Sequence, residues 1–203
     1  IDYCRPQKLH ELDDSVLKTL PVSSYQLPDG THQVISQYAD DIWRLEDARF
    51  PSNIRDNVKK LRFDALPSQF VDAVKFALKH YDIKQNTSGA TLINVFKTLK
   101  PFLIYLDSIG VQSVAEITPL CCANYVHHIK QEISKKTKKP LSKISLTHRF
   151  LVIETLYHNL KGTQWAFEHP WVESSASYLA GATGQGKKTA KTEAIPDDEL
   201  KVL

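Results

Sequence analysis

A chain of 203 residues with 42% hydrophobic residues, eight Phe, eight Tyr and three Trp has enough apolar surface to build a core, which excludes disorder throughout. No stretch approaches the roughly 18 apolar residues of a membrane span, and the acidic start IDYCRPQKLHELDD is unlike a secretory signal, so a cytosolic protein is expected. The net charge of +3 hides a segregation: residues 1–85 hold 12 basic and 13 acidic side chains, residues 86–191 hold 13 and 6, and residues 192–203 hold 1 and 4.

Three cysteines, two of them adjacent (Cys121 and Cys122), make no disulfide framework, in keeping with a reducing compartment. Methionine is absent even from position 1, which fits either an internal fragment or a sequence from which modified methionines have been dropped. The basic middle segment points to a polyanionic partner, nucleic acid being the commonest.

In chain order, YQLPDGTHQVI places two short runs of β-formers around a Pro-Asp-Gly turn and suggests a hairpin. From Ser68, read as an N-cap, Phe70, Val74, Ala77 and Tyr81 recur at three- and four-residue steps and predict an amphipathic helix, with residues 85–89 as a connection. Leu92, Phe96, Leu99, Leu103, Leu106 and Ile109 form the stripe of the next helix, stopped by Gly110 and kinked or split at Pro101. Thr118-Pro119 opens a helix that buries Cys122, Val126, Ile129 and Ile133 and ends in the lysines at 135–139. A further helix carries Leu146, Phe150, Ile153, Tyr157 and Leu160 and closes at Gly162, and a shorter one, interrupted or begun at Pro170, is expected between Trp165 and Leu179. The stretch AGATGQGKKTAKTEA has linker composition, and IPDDELKVL reads as the first turns of a new helix capped by Asp197 or Asp198.

The expected fold is therefore mainly α: a four-helix bundle over residues 86–180, preceded by a smaller accessory region (1–85) with the hairpin, and followed by a linker (181–194) and the beginning of another domain (195–203).

The order of these patterns resembles the tyrosine recombinases of the phage-integrase family. The likeness is carried by the helix with Thr91, Phe96 and Phe102-Leu103 ending in Gly110, then EITP, the lysine-rich turn, LVIETLYHNL ending in Gly162, HPW, and finally IPDDEL. It covers residues 86–203 and rests on soft hydrophobic patterns in sequence order. Tyr38, Trp43-Arg44-Leu45 and Arg62-Phe63-Asp64 resemble the leader of some longer bacterial members. The resemblance implies a SAM-like core-binding domain that clamps duplex DNA together with a catalytic domain, in a cytoplasmic, nucleoid-associated bacterial protein that acts in DNA integration and recombination for a mobile element. It implies double-stranded DNA and other recombinase subunits as partners, with no cofactor and no metal. The family's His-x-x-Arg pair is absent: its nearest counterparts are His127 with Lys130 and His158 with Lys161. The fragment is thus expected to lack the catalytic arginine, histidine and tyrosine set and to cut nothing.

Six lysines between positions 130 and 143 face one acid, Glu132. A run of like charge is ordinarily a solvated face, but in this context it becomes a candidate phosphate site: Lys135, Lys136, Lys138, Lys139 and Lys143, each phosphate neutralised releasing condensed cations. Asn94, Lys97 and Lys100 on the polar side of one helix, and Thr147, His148 and Arg149 at the start of another, can reach a groove or a phosphate, and Asn or Arg can read a base edge. Lys187 and Lys188 lie in the linker. There GATGQGKKT approaches a P-loop, but Lys188 stands where a Mg²⁺-binding hydroxyl belongs and SSASYLA is no buried strand. Cys121, Cys122, His127 and His128 lack zinc spacing, and Tyr157 sits on an apolar stripe beside His158 and Arg149, which reads as packing. The competing function is a helical protein-interaction module whose basic surface binds an acidic partner.

Overall fold

The computed structural model describes residues 9–134 and 137–182. After helix α1 (Asp14–Thr19) come strands β1 (Pro21–Gln26) and β2 (His32–Gln37), which pair antiparallel. This is the expected hairpin. Its turn needs Gly30, whose φ of 84° lies in the left-handed region, and Asp29 Oδ1 accepts from the Thr31 N–H. A second antiparallel pair joins β3 (Ile42–Arg44) to β4 (Lys60–Arg62), with Trp43 opposite Leu61.

Four long helices follow: α2 (Val71–Gln85), α3 (Gly89–Ser108), α4 (Pro119–Lys130) and α5 (Lys143–Leu160). The molecule is mainly α, with small hairpins at its N-terminal side. Sequence capping explains most of the helix starts, since the side chains of Ser88, Thr118 and Ser142 each accept from a backbone N–H three residues on. Helix α2 differs from expectation. Ser68 opens a short 3-10 turn instead of capping it, and Phe70 stands at the N-cap without a side-chain bond. Its other end matches, because Asn86 takes the left-handed conformation (φ 47°) that terminates a helix.

Residues 73–79 of α2 are all buried, including Lys75 and Lys79. A helix buried on all sides lies between layers. One side of α2 meets the hairpins, where Lys75 Nζ donates to the Ala39 carbonyl and Lys79 Nζ to that of Pro21. The other side meets α5, where His80 Nδ1 pairs with Asn159 Oδ1 at 2.8 Å. Apolar packing continues through the molecule, with Tyr38 against Trp43, Trp43 against Phe63, and Phe63 against Phe96 of α3. Rings like these contribute about 1 kcal/mol per pair beyond the area they bury.

Helix α3 runs through Pro101 unbroken, so the proline does not split it. The lost N–H bond is offset by the burial of Phe102, Leu103 and Leu106, each worth about 1.5–3 kcal/mol. The expected helix between Trp165 and Leu179 shrinks to α6 (Ala176–Leu179). Ahead of it the chain is irregular, because aromatic side chains anchor it one by one: Trp165 on Phe76, Phe167 and His169 on Tyr157, and Trp171 on Phe150. No helix among the described residues is long and apolar enough to cross a membrane.

Candidate nucleic-acid interface

The lysine-rich turn is not the end of a helix. Helix α4 stops at Lys130, and the chain doubles back through a bridge between Ile133 and Pro140. The Ser134 N–H donates to the Lys139 carbonyl and the Lys138 N–H to that of Ser134, with Lys138 in the left-handed region at φ 55°. Ile133, expected in the core, is consequently 52% exposed. Lys138 and Lys139 project from this turn into solvent. Lys143 is the first residue of α5 and lies beside Gly181. Lys135, Lys136, Lys187 and Lys188 fall outside the described residues, as do most of the linker and everything after it.

A second group lies along the seam between α3 and α5. Asn94 and His148 line one shallow groove of 380 Å³ together with Thr98, Leu151, Thr155 and His158, and Tyr81 of α2 closes one side. Val95, Val152 and the carboxylate of Glu154 complete the lining, which mixes apolar surface with amide, hydroxyl and imidazole groups. Burial, and then the neighbouring Lys161, push the His158 imidazole below its ordinary range, which favours its neutral form. Thr98, Leu151 and Thr155 were not singled out from sequence, although the helical period offered them: Thr98 is four residues from Asn94, and the other two lie three and seven from His148.

Other predicted residues are engaged elsewhere. Arg149 Nη1 donates to Glu132 Oε2 at 3.3 Å, and the guanidinium also acts on the buried Tyr125 hydroxyl. Thr147 gives its hydroxyl to the Lys143 carbonyl. Lys100 is half-buried on the side of α3 toward the hairpins, where it adds a small contribution, after the bonded Arg62, to holding the Asp64 carboxyl low. Lys97 is exposed on the outer face of α3.

Ion pairs are more frequent in the N-terminal part than after residue 86 among the described residues. In the N-terminal half Lys18, Arg44, Arg49, Lys59 and Arg62 all sit within 4 Å of carboxylates. Past residue 86, Arg149 is the only cation so paired among the described residues. Lys97, Lys130, Lys138, Lys139 and Lys143 carry no acid partner there.

The other motifs resolve as packing. Cys122 is fully buried, which pushes its thiol up to about 12, and Cys121 accepts a bond from the Thr118 hydroxyl. His128 packs on Tyr105 and His127 bonds Gln131. Among the described residues no three His, Cys, Asp or Glu side chains gather as a metal site. Tyr157 is half-buried, with Lys161 Nζ 4.7 Å above its ring. Compared with known proteins, the chain matches no family model, no curated protein and no solved structure.

Proposed function

We propose that this chain is the DNA-binding part of a site-specific tyrosine recombinase, in which the helices after residue 86 dock on duplex DNA and a separate catalytic domain performs cleavage and rejoining. The observation that carries the reading is the asymmetry of pairing. In the accessory half Lys18, Arg44, Arg49, Lys59 and Arg62 are paired with carboxylates, while Lys97, Lys130, Lys138, Lys139 and Lys143 lie within 4 Å of none among the described residues. Unpaired ammonium groups on one bundle repel one another, and a phosphate backbone relieves that repulsion. In this reading the lysines position the bundle and carry no sequence information, and the neutral side chains of the α3–α5 groove supply the base preference.

The test is a titration of a fluorescent duplex across salt with the quadruple variant Lys135→Gln, Lys136→Gln, Lys138→Gln and Lys139→Gln. Affinity should fall for every duplex sequence, and the salt slope should flatten by about 0.9 for each lost phosphate contact. A control, Lys18→Gln, removes a cation already paired with Asp14 at 2.6 Å and should change neither. Unaltered affinity and slope in the quadruple variant would refute the assignment.

A second reading, a protein-interaction module with a basic surface, draws on Ile144 (70% exposed) and Leu151 (42%) on the same helix as Lys143. It predicts that the duplex competes poorly against an acidic peptide of equal charge.

A further inference from the structure

The single acid among the lysines between α4 and α5 is not paired with any of the described ones. Glu132 follows the end of α4, its N–H donating to the Ile129 carbonyl, and its Oε2 accepts from Arg149 Nη1 at 3.3 Å. Arg149 lies in the second turn of α5 and is 20% exposed, against 41% for Glu132. The bond therefore spans from the start of the lysine-rich turn to the helix that follows it.

The backbone of the turn makes this pairing consequential. Ile133 bridges Pro140, and the Ser134 N–H donates to the Lys139 carbonyl, so Lys139 is the diagonal neighbour of Glu132 across the turn. Long side chains at such positions reach one another. Lys130 is exposed two residues before Glu132. Either ammonium group would gain from the carboxylate if Arg149 did not hold it. The guanidinium has the advantage, because it is already largely withdrawn from water and its planar fork loses less freedom on pairing than a flexible, strongly hydrated ammonium.

A carboxylate on Lys139 or Lys130 would do within the chain what a phosphate does between molecules. It would also be present at the high effective concentration of a tethered group. Each lysine so occupied removes one phosphate contact and the counterion release that goes with it.

We propose that Arg149 is a positioning residue of the phosphate-binding turn: by holding Glu132 it keeps a competing carboxylate off Lys139 and Lys130 and fastens the turn to α5. The inference rests on the DNA reading above and gives Arg149 a role without contact to the duplex. An arginine that reads a base edge uses its fork bidentately, whereas one Nη of Arg149 is committed to Glu132 and little of the side chain is exposed.

The test is a double-mutant cycle on the whole chain, with a fluorescent duplex titrated across salt. Arg149→Gln should weaken binding roughly fivefold and flatten the salt slope by about 0.9, the value of one phosphate contact. Glu132→Gln should change wild-type affinity less than about twofold, yet restore both affinity and slope in the Arg149→Gln background. Arg149→Lys, which keeps the charge, should bind as the wild type does. Thermal melts run in parallel separate a structural role, which lowers Tm and leaves the slope of the folded chain unchanged. Equal effects of Glu132→Gln in both backgrounds would show that Arg149 itself touches the duplex and would overturn the proposal. So would a gain of more than about fivefold from Glu132→Gln alone, a change at a side chain exposed enough to leave the fold intact, because Glu132 would then already be occupying lysines. Absence of duplex binding by the wild type at every salt concentration would instead refute the DNA reading beneath it.

Discussion

Replacing Arg49 by methionine should destabilise the chain by about 3 kcal/mol, through the charge it leaves behind. Arg49 reaches from the segment after β3 to the C-terminal turn of α2. Its Nη1 donates to Asp82 Oδ2 at 3.0 Å, and its Nη2 donates to Asp82 Oδ1 and, at 2.8 Å, to the Thr87 carbonyl. The side chains are only 14% and 5% exposed, so the pair is not a surface bridge worth a few tenths of a kcal/mol. Removing one partner from a buried pair costs about 3–5 kcal/mol, because the other charge stays desolvated. The low end applies here, since the Thr87 hydroxyl still donates to Asp82 at 3.1 Å. For a chain of this size the loss corresponds to a Tm lower by about 6–12 °C. Urea unfolding followed by tryptophan fluorescence measures it. The double variant Arg49→Met with Asp82→Leu should recover part of the loss, since it removes the stranded Asp82 charge, while Glu46, 3.7 Å from Arg49 and 20% exposed, still loses its cation. A single-variant loss below about 1 kcal/mol, or a double variant as damaged as the sum of its parts, would show that the charge pair is not what holds this joint.

Gly89→Ala should be destabilising despite alanine's better helix propensity, because a Cβ there would stand 2.4 Å from Phe50 Cζ. The expected loss is about 1–2 kcal/mol, and thermal melts of Gly89→Ala with and without Phe50→Leu should show the second change restoring stability. Cys122, fully buried with its thiol raised to about 12, should resist iodoacetamide at pH 8 and become alkylated only once the chain is unfolded in urea, which peptide mass spectrometry reads directly.

What could be read ahead of the structure was what the chain encodes locally. The Pro-Asp-Gly turn, the Thr118-Pro119 start and the stripe from Leu92 to Leu106 each carry their signal within a few residues, and the hairpin and helices formed there. The misreadings came from tertiary contacts. Periodicity through Ile133 was overruled by Pro140 pairing back on it, and the aromatic residues from Trp165 to Trp171 found separate ring partners instead of one helical face. At the candidate interface, residue type indicated what a side chain can reach but not whether it is already engaged. Arg149 is bound by an acid 17 positions earlier in the chain, and Lys100 faces Asp64 on another element.

The place of α2 between the hairpins and α5 bears on how the molecule can be dissected. A fragment begun at residue 86, where the basic half starts, would strip α5 of the neighbour that meets it through His80, would strip Trp165 of its Phe76 contact, and would leave the His80 partner, Asn159, facing water. Such a piece should be sticky and poorly folded, and weak DNA affinity in it would report lost architecture instead of missing contacts. Dissection should therefore keep the hairpins as well as α2, which they cover on its other side, so that the lysines are tested on the scaffold that presents them.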